Sequence, residues 1–121
     1  DGTMALLDSG RRVTALFAGD DDVAAGALLA LKQTGKRVPE DISLIGFDDN
    51  FHARHLTPAL TTVRQPVDAV GRMAAEMLSR MIAGDSSVTR EITVPTELIV
   101  RESLGRAANP QAKRQTAELT R

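Results

Sequence analysis

The chain has 121 residues, 42% of them apolar, no cysteine, and 15 basic against 16 acidic side chains. That is enough for one domain with a real core, and it excludes disulfide or thiol chemistry. It also excludes a membrane-spanning helix, since no apolar run approaches the roughly 20 residues required.

Charge is unevenly spread. Arg106, Lys113, Arg114 and Arg121 against Glu118 alone leave +3 on residues 106–121, so the first 105 residues sum to −4. A body of that sign lacks the basic face that phosphate neutralisation requires. The start, Asp1-Gly2-Thr3-Met4, has neither the basic region nor the hydrophobic stretch of a signal peptide. A chain that opens on Asp reads as cut from something longer.

In chain order, Val13-Thr14-Ala15-Leu16-Phe17-Ala18 is a short apolar run with β-branched and aromatic members, expected to be a buried strand. Gly19 and the acids Asp20, Asp21 and Asp22 follow, with Asp21 the expected N-cap. Val23, Ala24, Ala27, Leu28 and Leu31 then recur at helical spacing up to Gly35, a C′ glycine. After Val38-Pro39-Glu40-Asp41, a second buried strand spans Ile42 to Phe47. Two apolar strands joined by a helix predict a right-handed βαβ unit with parallel strands.

A polar turn over 49–57 leads to Pro58 and a β-rich stretch, Leu60-Thr61-Thr62-Val63. Pro66 suits the first turn of a long helix, whose apolar face is Val67, Val70, Ala74, Met77, Leu78 and Met81, ended by Gly84. Arg90 to Val94 alternates as a strand, and Leu98-Ile99-Val100 forms a last short one. Residues 106–121 are polar and read as a disordered or weakly helical tail. The fold class is therefore α/β: a parallel sheet with flanking helices.

In open parallel sheets, ligands bind beyond the carboxyl ends of the strands. The first strand delivers Asp20, Asp21 and Asp22 there, and the second delivers Asp48 and Asp49. Such carboxylates accept hydrogen bonds from ligand hydroxyl or N–H groups, while Phe17 or Phe47 could supply an aromatic wall. Each also has a plainer use. Asp20 divides between turn former and ligand contact, Asp22 suits the helix dipole, Asp49 serves the following turn, and either phenylalanine can be core. Asp48 has no following helix that demands it, so a ligand role suits it best.

An acidic cluster could instead hold Mg²⁺ for phosphoryl transfer in a receiver-type domain. That chemistry needs a phosphate-binding Lys at a later strand end, and no Lys occurs between Lys36 and Lys113. His52 and His55 stand i, i+3, but zinc would need further ligands. Gly-x-Gly-x-x-Gly, Gly-x-Ser-x-Gly and P-loop patterns are absent. No catalytic residues, metal or cofactor are expected, and the chain does not read as an enzyme.

Four segments carry a resemblance. They are Phe17-Ala18-Gly19-Asp20-Asp21-Asp22-Val23-Ala24-Ala25-Gly26-Ala27; the run from Gly35 to Asp49, ending Ile45-Gly46-Phe47-Asp48-Asp49; Leu56 to Pro66, containing Leu60-Thr61-Thr62-Val63-Arg64-Gln65-Pro66; and Glu97 to Ser103. Over about residues 4–104 the sequence resembles the C-terminal part of the effector domain of the lactose-repressor/galactose-repressor family of bacterial regulators.

That resemblance implies a periplasmic-binding-protein-like sensor of two lobes with a small molecule between them. Residues 1–65 would form the C-terminal lobe, 66–96 would belong to the N-terminal lobe, and 97–105 would return. By the same resemblance Asp48 accepts hydrogen bonds from the effector, Gln65 touches it at the crossing, and Phe17 forms a ring wall. Asp20 falls where many members have a ligand-contacting Asn, a change that removes donor capacity.

The implied protein is a cytoplasmic homodimer that senses a metabolite, most simply a sugar. It would hold DNA through an N-terminal helix-turn-helix, not through these residues. An isolated piece would expose surface inviting association or strand exchange. The main rival is an exported solute-binding protein serving a transporter.

Overall fold

The computed structural model describes residues 2–89 and 91–106. The chain begins with a helix, α1 (Gly2–Asp8), followed by β1 (Ala15–Phe17), α2 (Asp21–Gln33) and β2 (Ser43–Asp48). A single 3-10 turn at Ala53–His55 precedes β3 (Thr61–Arg64), α3 (Val67–Ile82) and β4 (Glu97–Ile99). The sequence pattern did not foretell α1, whose seven residues span too little chain for a periodicity.

The four strands form one sheet in the order β1-β2-β3-β4. β1 and β2 are parallel, with Phe17 opposite Ile45, and β2 and β3 are parallel, with Asp48 opposite Arg64. β4 adds an antiparallel edge, pairing Glu97 with Arg64 and Ile99 with Thr62. The α/β class holds, with this one antiparallel strand added to the parallel set.

The core lies between α2 and the sheet. Ala24, Ala27, Ala30 and Leu31 are the buried apolar residues of α2, at the spacing that keeps them on one face. Ala18, Leu44, Ala53 and Leu60 meet Ala24 and Ala27 in one cluster. Alanines on the helix let its axis approach the sheet closely, and the leucines fill what remains; fully burying one leucine contributes about 1.5–3 kcal/mol.

α2 stops where the sequence says it should. Thr34 Oγ1 donates to the Ala30 and Leu31 carbonyls, and Gly35 takes φ +72°. α3 likewise ends at Gly84, with φ +82°. No residue of α3 is buried among the described residues, and Val67, Val70, Leu78 and Met81 of its apolar stripe are exposed.

One expectation fails, and another lies outside the described residues. Residues 91–94 form no strand, and Arg90 lies outside the described residues. Alternation alone does not make a strand when the sheet offers no ladder to join, and residues 91–94 meet none. The tail expected over 106–121 lies outside the described residues from 107 onward.

Candidate functional site

The carboxyl ends of β1, β2 and β3 stand side by side along one edge of the sheet, because the three strands are parallel and adjacent. Neighbouring strands lie about 4.8 Å apart, so this edge gathers Phe17 and Asp20, then Asp48, then Gln65. All of the expected ligand residues except Asp22 come from these ends, and Asp22 lies in the first turn of α2.

Asp48 and Gln65 meet directly. Gln65 Nε2 donates to Asp48 Oδ1 at 2.5 Å. This leaves Asp48 Oδ2 and Gln65 Oε1 as acceptors, so the pair is suited to ligand hydroxyl or N–H donors. Asp48 has φ +108° and Asp49 φ +58°. Consecutive non-glycine residues at positive φ are uncommon even for Asp, and such strain persists where the surroundings over-determine it, often at binding sites.

Three anchors hold that turn. The Asp49 N–H donates to Thr62 Oγ1 at 3.3 Å, and the Asn50 N–H donates to Asp21 Oδ2 at 2.8 Å. The Asp49 carboxylate accepts from Arg64 Nε at 2.7 Å and Arg101 Nη2 at 2.5 Å. Its side chain is only 3% exposed. Burial alone would push the Asp49 carboxyl up, but the hydrogen bonds from Arg101 and Arg64 outweigh it and hold the group below the ordinary carboxylate value. Asp49 is thus an ion-pairing centre rather than a former of the next turn.

At the first strand end the cap falls one residue earlier than expected. Asp20 Oδ1 accepts from the Val23 N–H at 2.6 Å and caps α2. Asp21 is buried instead, at 2% exposure. Its Oδ1 accepts from Thr62 Oγ1 at 2.6 Å and its Oδ2 from Asn50, tying α2 to β3 and to the turn after β2. Three successive acids gave no sequence signal for which one would turn inward. The signal that could have found it is Gly46, whose missing side chain is what admits the Asp21 carboxylate.

Asp22 is exposed and accepts from Asn50 Nδ2 at 3.2 Å. Phe17 is 65% exposed rather than core, and borders a groove of about 400 Å³ together with Leu6, Leu16, Val23 and Ala27. Phe47 is half-buried. His52 and His55 flank the exposed ring of Phe51, with centroids 5.7 and 4.7 Å away. Among the described residues no three His, Cys, Asp or Glu side chains gather as a metal set, and no helix is long and apolar enough to cross a membrane.

Sequence reasoning passed over Arg64 and Arg101. Each lies in a segment singled out for resemblance, and an arginine beside a strand end that carries two acids is the pattern that could have flagged them.

Residues 3–104 match the family model described as a periplasmic binding protein-like domain. Among curated relatives, the chain is 44% identical over 99 residues to the HTH-type transcriptional repressor PurR of Escherichia coli O1:K1. That match covers 82% of this chain and 29% of the repressor, so the chain spans under a third of the relative's length. Among solved structures it resembles the transcriptional regulator CelR in complex with cellobiose, with a TM-score of 0.79 and 39% identity over 84% of this chain and 31% of that one. It also resembles the lac repressor dimer bound to operator and an anti-inducer, with a TM-score of 0.77 and 30% identity over the same shares.

Proposed function

The chain belongs to the LacI/GalR family of transcriptional regulators, as part of its periplasmic-binding-protein-like effector domain, and from that premise we propose that residues 17–65 supply one wall of a small-molecule site. Asp48 and Gln65 are the residues that grip the effector, Phe17 backs it, and Asp20 and Asp22 border it. The observation that carries this reading is the Asp48–Gln65 bond at the carboxyl ends of adjacent parallel strands, with Asp48 held at positive φ.

The effector is an uncharged, donor-rich molecule, most simply a sugar. CelR is described in complex with cellobiose, which supports that class. A bond from a ligand donor to a carboxylate contributes about 1.5–3 kcal/mol, so two or three are enough to fix orientation. Residues 66–96 belong to the second lobe, which fits the exposed apolar stripe of α3, and residues 97–105 return to the first.

The whole protein is a cytoplasmic homodimer that performs no covalent chemistry. Effector favours one closure of the two lobes and thereby changes operator affinity, a coupling typically of 1–3 kcal/mol. DNA is held by a helix-turn-helix outside these residues. The relatives named above are regulators, which supports this over an exported transport protein or a Mg²⁺-dependent phosphoryl domain.

The test is a thermal-shift panel of sugars, nucleosides and polyols, beginning with cellobiose, on the full-length protein, followed by operator binding. A compound that raises the unfolding midpoint and changes operator affinity supports the reading. A compound that does the first without the second leaves a binding protein, not a regulator.

A further inference from the structure

The Asp49 ion cluster joins parts of the chain that the ligand site by itself does not require to be joined. β3 ends at Arg64, immediately before Gln65 and Pro66 carry the chain away into α3; β4 brings it back at Glu97. Arg64 and Glu97 are register partners, and Arg64 Nη1 donates to Glu97 Oε2 at 3.3 Å. Arg101, two residues beyond the end of the returning strand, donates from Nη2 to Asp49 and from Nη1 to the Leu60 carbonyl at 2.8 Å. One buried carboxylate therefore holds both the end of the outgoing strand and the segment just after the returning one, and Arg64 carries the link on to Glu97 of β4.

Asp48 and Asp49 are consecutive, and they hold consecutive partners, Gln65 and Arg64. The turn that bears them is left-handed at both residues, a conformation that needs external restraint to persist. The Asp49 carboxylate is the restraint that reaches furthest, because Thr62 and Asp21 bind the turn only to β3 and α2. Bonds of this charge-assisted kind are the strong ones; with a 3% exposed acceptor and a 15% exposed Arg101 the Arg101 bond escapes most solvent screening, whereas Arg64 is 47% exposed and its bond is screened more.

We propose that Asp49 is a positioning residue: through Arg64 and Arg101 its carboxylate locks the turn carrying Asp48 to the end of β3 and to the segment that follows β4, on either side of the excursion through residues 65–96, so that ligand grip and crossing move as one body. Its functional meaning rests on the ligand reading above, but the lock itself does not. The experiment therefore uses no ligand, and failure of one is distinguishable from failure of the other.

The test is amide hydrogen exchange on the full-length protein, comparing wild type with Asp49→Asn, Asp48→Ala, Arg101→Gln and Arg101→Lys. In Asp49→Asn, exchange rises about tenfold or more at 64–67 and at 97–101 together, with β1 and α2 unchanged. Asp48→Ala leaves 97–101 as in wild type. Arg101→Lys regains part of the protection that Arg101→Gln loses, which a purely steric role would not produce. Acceleration confined to 48–50, or spread evenly through β1 and α2, overturns the proposal. Should Asp49→Asn not fold, Arg101→Gln decides: joint acceleration at 48–50 and 97–101 supports the lock, and acceleration at 97–101 alone overturns it.

Discussion

Gly46 lies against the carboxylate of Asp21: a Cβ built on Gly46 would collide with Oδ1 and stand 2.9 Å from Leu60 Cδ2. The strand gives up a side chain so that a buried acid on the neighbouring helix can reach Thr62 and the Asn50 N–H. Gly46→Ala is expected to destabilise the protein by about 1–3 kcal/mol, read by denaturant unfolding. An unchanged midpoint would show that the helix and strand can separate at no cost.

Asp21 should be the most sensitive of the three acids. Asp21→Ala strands the buried Thr62 hydroxyl, at a cost of about 1–3 kcal/mol, and removes the acceptor of the half-buried Asn50 N–H as well. Asp22→Ala removes only an exposed contact to Asn50 and is expected to fall within about 0.5 kcal/mol of wild type. Equal effects in the same unfolding experiment would contradict the inward placement of Asp21.

Asp20 combines a cap with a place at the ligand edge, and two substitutions separate them. Asp20→Ser keeps a capping oxygen and should preserve stability, whereas Asp20→Ala should cost about 1 kcal/mol. Loss of ligand response in the serine variant, with stability retained, marks a ligand role; a full response there reduces Asp20 to a cap.

Asp49 makes stability depend on pH. Its folded carboxyl lies below the ordinary value, so the unfolded chain takes up the proton first. The stabilisation is complete above the ordinary carboxylate range and is lost as pH falls through it toward the folded value. Between roughly pH 5 and pH 3, the midpoint of wild type should fall more steeply than that of Asp49→Asn. Asp85, drawn down to about 2 chiefly by Ser87 and Arg80, acts in the same direction in both proteins and cancels in the comparison. Parallel curves contradict the role given to Asp49.

The parts legible in the sequence were those with a local cause. Alternating strand and helix patterns gave the βαβ unit, Gly35 and Gly84 marked helix ends, and the strand pattern put Asp48 at the carboxyl end of β2. What was not legible depends on pairings across the sheet. Nothing local tells Asp20 from Asp21, because the choice turns on Gly46 and Thr62, which lie 25 or more residues away in the chain. Asp49 looks like any turn residue until the segment after β4 brings Arg101 beside it, 52 residues later. The expected strand at 90–94 had the right alternation and no neighbour among the described residues to pair with, and α1 was too short to declare itself.

The claim that the strand ends form a ligand wall is tested most directly by calorimetric titration of wild type and Asp48→Ala, in the full-length protein, with cellobiose and the other compounds of the panel. At least one compound should bind wild type and lose about tenfold or more in affinity in the variant, while both proteins unfold cooperatively at similar midpoints. A compound that binds both proteins equally, or a panel in which none binds wild type, would contradict it.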